Sequence, residues 1–123
     1  MKITPEVKEF LQTHLVFLAT VDSRGRPHMV PKATLAIVNE NQVVFVDLRA
    51  TQTRRNVLNN HHVAIVAIDP VDYRGYELRG KASVVDRGPQ FKKIFSSIPV
   101  LSQYPKLRDI ILVRINSVKP IKD

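Results

Sequence analysis

Turn signals cut this chain into short apolar runs, and that punctuation limits the fold more than any other feature of the sequence. Leu15 to Val21, Pro27 to Val38, Val43 to Asp47, Val63 to Ile68, Tyr76 to Val85 and Asp109 to Ser117 read as six strands. Asp22-Ser23-Arg24-Gly25 suits a type I turn, with Asp first and Gly last, and makes a hairpin of the first two strands. Asn39 to Gln42 is a second turn, so strands two and three pair as well. Val63 to Ile68 is apolar at every position, which predicts a strand buried on both faces. Gly80 interrupts the fifth strand and fits a bulge or barrel corner.

Three short helices complete the pattern. Thr4-Pro5-Glu6 is a hydroxyl cap, a first-turn proline and an acid at the positive dipole end, opening a helix to about His14. A second helix runs from Thr51 to Leu58 or Asn59-Asn60, and a third from about Gln90 to Ser97. Ile98 to Leu107 reads as a Pro-punctuated loop. Short antiparallel strands with these turns predict a mainly β fold with short helices, a small closed or partly closed barrel in a single domain spanning residues 1–123.

Composition removes several chemistries. There is no cysteine, hence no disulfide, thiolate nucleophile or cysteine-ligated metal. His14, His28, His61 and His62 lie in different elements and form no metal-ligand spacing. No GxSxG elbow is present, and carboxylates are sparse and mostly in turns, against a paired-acid hydrolase. Gly25, Gly75, Gly80 and Gly88 are too far apart for GxGxxG or a Walker loop. No catalytic residue is assigned. The sequence shows neither a signal-peptide core nor a long apolar run, so a cytoplasmic protein with no membrane partner is expected.

The formal charge of +8 favours anionic partners. The basic residues are scattered, aromatics are 7%, and no strand interleaves aromatic and basic residues, all of which argues against nucleic acid. One segment stands out, VVFVDLRATQTRRNVLNNHHV from Val43 to Val63. A strand, a hydroxyl-rich basic turn and a helix start form an anion seat, because free N–H groups and the helix dipole converge there. Thr51 and Thr53 offer hydroxyls, Gln52 an amide, and Arg49, Arg54 and Arg55 cations, with Lys32 and Thr34 placed nearby by strand two. The competing reading is a capped surface helix with solvated arginines.

At these residues the chain resembles the FMN-binding split-barrel family, the pyridoxamine 5′-phosphate oxidase-like proteins. The resemblance also includes Val16 to Val21, Gly25-Arg26-Pro27-His28 and Leu78 to Ala82. It implies a six-stranded antiparallel split β-barrel and a homodimer with FMN at the interface, doing electron or hydride transfer. Carried onto this chain, the strand-two stretch Lys32, Ala33 and Thr34 and the turn Thr51, Gln52 and Thr53 would hold the phosphate. Val46, Asp47 and Leu48 would lie along the isoalloxazine edge, with Asn56 one helical turn on. Tyr104 or Lys106 of one subunit would approach the flavin of the other. Where family members often have Arg-Lys or Lys-Thr, this chain has Gln52-Thr53, so Arg49, Arg54 and Lys32 must carry the electrostatics. The full oxidase's C-terminal substrate segment has no counterpart, which argues against that activity. A deazaflavin or haem in place of FMN, and a non-enzymatic anion- or nucleic-acid-binding barrel, are the alternatives.

Overall fold

The computed structural model describes residues 2–33, 35–46, 51–86, 88–104 and 109–121. Helix α1 (Pro5–Thr13) leads into strands β1 (Leu15–Val21), β2 (Pro27–Pro31), β3 (Leu35–Ile37) and β4 (Gln42–Val46). Helix α2 (Gln52–Asn59) follows, then β5 (His62–Asp69), β6 (Arg74–Asp86), helix α3 (Gly88–Ser97), a 3-10 turn (Pro99–Gln103) and β7 (Asp109–Pro120). All pairings are antiparallel, in the order β2-β1-β5-β6-β7-β4-β3.

Seven strands replace the expected six because the run from Pro27 to Val38 is split. Its first part pairs with β1, Val30 opposite Leu18. Its second part pairs with β4, Leu35 opposite Phe45. These two parts are the outermost strands of the sheet, yet only residues 32–34 separate them. A link that short holds the two edges together, so the sheet rolls into a split barrel. The expected pairing of strands two and three is kept, but only by the second part.

Local chemistry sets the elements. The Thr4 hydroxyl accepts from the Val7 N–H at 3.3 Å, capping α1 as its sequence predicts. Gly25 takes φ 80° in the β1–β2 turn, where the Asp22 carboxylate accepts from the N–H groups of Arg24 and Arg26 at 2.9 and 2.8 Å. The register of β6 on β7 shifts between Arg79 and Gly80, the expected bulge.

Double burial falls elsewhere than predicted. On β5, Val63, Ile65 and Ala67 are buried while Ala64, Val66 and Ile68 keep intermediate exposure. It is β4 and the start of β7 that are buried on both faces. Val43, Phe45, Ile111 and Val113 join the main core with Leu18 and Leu78. Val44, Val46, Ile110 and Leu112 join a second cluster with Ile94, Ile98 and Leu101. Helix α3 and the 3-10 turn supply the second layer, which an apolar run alone does not reveal. Tyr76, at the start of the expected fifth strand, lies on β6, its ring edge-on to Phe10 with centroids 5.2 Å apart.

Candidate functional site

Helix α2 starts where the chain has left β4, and its first turn is organised by side chains. Thr51 is the N-cap: its hydroxyl accepts from the Arg54 N–H at 3.1 Å, and its carbonyl from the Arg55 N–H at 3.2 Å. The cap of the competing reading is present, and further donors remain at the helix start. The N–H groups of Gln52 and Thr53 make no hydrogen bond among the described residues. Thr53 is only 1% exposed, and its hydroxyl likewise has no partner among the described residues. A helix start with two open N–H groups and a hydroxyl fits an anionic oxygen cluster such as a phosphate.

Buried polar groups lock the turn to the barrel. Gln52 Nε2 donates to Asn56 Oδ1 at 2.6 Å, and Asn56 Nδ2 donates to Thr20 Oγ1 at 3.0 Å. Asn56 and Thr20 are each 1% exposed. Arg55 Nη2 completes the chain by donating to Gln52 Oε1 at 3.0 Å. Gln52 thus serves the scaffold: it orients Asn56 and is itself held by Arg55. Arg54 is engaged too, its Nε donating to Asp109 Oδ2 at 2.9 Å.

Of the sequence-predicted residues, Thr51, Gln52, Thr53, Arg54 and Asn56 come together in and below this turn. Lys32 and Ala33 lie just before Leu35, whose pairing with Phe45 brings that stretch alongside the end of β4, where Val46 is 4% exposed. The Lys32 N–H is fixed by the Val16 carbonyl at 2.8 Å. Tyr104 follows the 3-10 turn and packs on the second core cluster. Thr34, Asp47, Leu48, Arg49 and Lys106 lie outside the described residues. Sequence reasoning missed Thr20 and Asp109. Thr20 had a readable signal, since it continues the inward alternation Val16, Leu18, and an inward hydroxyl needs a partner. Asp109 had none, being 55 residues from Arg54.

The pyridoxamine 5′-phosphate oxidase family model matches residues 3–122, nearly the whole chain. The chain belongs to that family. An uncharacterised protein of Methanocaldococcus jannaschii is 23% identical over 124 residues, covering 99% of this chain and 83% of its own. The solved structure of HupZ from Group A Streptococcus superposes with a TM-score of 0.86 at 21% identity, over 98% of this chain and 95% of that one. At these identities the structures show a shared fold. Other solved structures with that fold are described by different ligands. They include an FMN-binding protein from Syntrophomonas wolfei (TM-score 0.73, 14% identity, 95% and 84% covered). An F420 reductase (0.68, 24%, 95% and 98%) and the heme storage protein HutZ from Vibrio cholerae (0.69, 23%, 97% and 94%) share it too. Among the described residues of this family member, no helix is long and apolar enough to cross a membrane.

Proposed function

We propose that this chain is a cytoplasmic, homodimeric FMN-binding flavoprotein serving electron or hydride transfer, with the flavin phosphate at the first turn of α2. The observation that carries the reading is the set of open donors at that turn: the Gln52 and Thr53 N–H groups and the Thr53 hydroxyl. Lys32 adds a cation from the strand-two side, and Ala33, Thr34, Val46, Asp47, Leu48 and Arg49 complete the cofactor-binding set, with Tyr104 reaching the flavin across the dimer. Bound FMN would supply the redox chemistry itself. The chain's part is to hold the phosphate, exclude water and orient the ring, which requires no acid or base side chain. A family member with an FMN-binding structural neighbour supports FMN; the F420 and heme neighbours define the rival cofactors. Titration of the purified protein with FMN, riboflavin, F420 and heme, followed by gel filtration with light scattering, tests the reading. Stoichiometric FMN on a dimer supports it. Preferential retention of heme or F420, or a monomer without flavin, overturns it.

A further inference from the structure

Arg54 lies in the first turn of α2, and a carboxylate already holds it. Its Nε donates to Asp109 Oδ2 at 2.9 Å, joining the first turn of the helix to the first residue of β7. The pair is largely shielded, with side chains 31% and 18% exposed. Only one donor of the guanidinium is used, and its Nη groups make no hydrogen bond among the described residues. Asp109 also has a second carboxylate residue as its cross-strand partner. The β6–β7 register sets it opposite Asp86, and like charges facing each other across a strand pair are unfavourable. Arg54 offsets that repulsion. A phosphate at the helix start therefore competes with Asp109 for one guanidinium, and a guanidinium fork suits either oxyanion.

We propose that Asp109 sets the phosphate affinity of the α2 seat by holding Arg54, which is exchanged from the carboxylate to the phosphate when the ligand binds. The proposal rests on the FMN reading above. Arg54 is the ligand-contacting cation and Asp109 a positioning residue. A flavin without a phosphate does not draw on the exchange, so FMN and riboflavin separate the two roles.

The test is a double-mutant cycle on the full chain, reading the Kd for FMN and for riboflavin. Asp109→Asn tightens FMN about tenfold, the scale of one charge-assisted hydrogen bond, and leaves riboflavin unchanged. Arg54→Gln weakens FMN by a similar factor. In the Arg54→Gln background the gain from Asp109→Asn disappears, because the freed partner is gone. If that gain persists, Asp109 acts only as a nearby negative charge and the proposal is overturned; an equal change for riboflavin also overturns it. An NMR measurement on the unmutated protein covers the case in which a variant fails to fold. There FMN shifts the Arg54 Nε–H resonance and riboflavin does not, and an unmoved resonance at saturating FMN overturns the exchange. Wild-type protein that binds no FMN overturns both this inference and the functional proposal, whereas FMN binding without coupling overturns this one alone.

Discussion

Asn56 on α2 donates through Nδ2 to the hydroxyl of Thr20 on β1 at 3.0 Å, with both side chains shut away from solvent. Through this bond the barrel wall fixes the position of the helix whose first turn forms the candidate site. Gln52, donating to Asn56 Oδ1, extends the bond to the helix start. Asn56→Leu leaves the buried Thr20 hydroxyl and the Gln52 Nε2 group without partners and costs about 2 kcal/mol of stability. The double variant Thr20→Val with Asn56→Leu costs less than Asn56→Leu alone, because replacing both partners removes the orphaned group. Chemical denaturation of the three variants measures this.

The seat itself is tested by Thr53→Ala and Lys32→Ala. Each weakens FMN about tenfold or more, from the loss of one charge-assisted hydrogen bond, with little effect on riboflavin. Titrations with the two flavins give the comparison. Unchanged FMN affinity in both variants places the phosphate elsewhere.

Gly80 sits where β6 crosses close to β7, and a Cβ added there would run into the Arg114 carbonyl oxygen. Backbone cannot step aside as a flexible side chain can. Gly80→Ala is therefore expected to lower stability by about 1–3 kcal/mol, an overpacking cost, and to lower Tm by several degrees. A thermal melt with an unchanged midpoint contradicts the close crossing.

The pH dependence has two limbs. Hydrogen bonds to Asp22 from the Arg26 N–H first, then from the Arg26 side chain and the Arg24 N–H, hold its carboxyl below the ordinary value of 3.8. Its contribution is present above that value and fades as pH falls through the lowered one. Burial first, and then the Glu6 carboxylate, raises the Tyr76 phenol above 10.0. The neutral phenol is favoured in the fold, so its contribution is present below 10.0 and lost as pH rises through the raised value. Asp22→Asn flattens the acid limb of a denaturation–pH profile and Tyr76→Phe the alkaline limb. Profiles that superpose on the wild type contradict these assignments.

Local signals carried most of the fold. Thr4, the Asp22–Gly25 turn, Gly80 and the Thr51 cap all act as their residue types predict. What escaped were relationships that local patterns do not encode. The run from Pro27 to Val38 is continuous in apolar character, yet it serves two edges of one sheet, because its partner changes between Pro31 and Leu35. The double burial of β4 depends on α3, which is distant in sequence. At the site, hydroxyls and cations were legible as types, whereas their engagement was not. Gln52 and Arg54 were read as facing a ligand, and they are tied to Asn56 and Asp109 by folding.

The central claim is a flavin phosphate seated on the first turn of α2, and the relative affinity for FMN and riboflavin tests it most directly. The account predicts that FMN binds at least tenfold more tightly than riboflavin, the scale of a charge-assisted phosphate contact, and that Thr53→Ala narrows this gap. Equal affinity for the two flavins, or no binding of either, would contradict it.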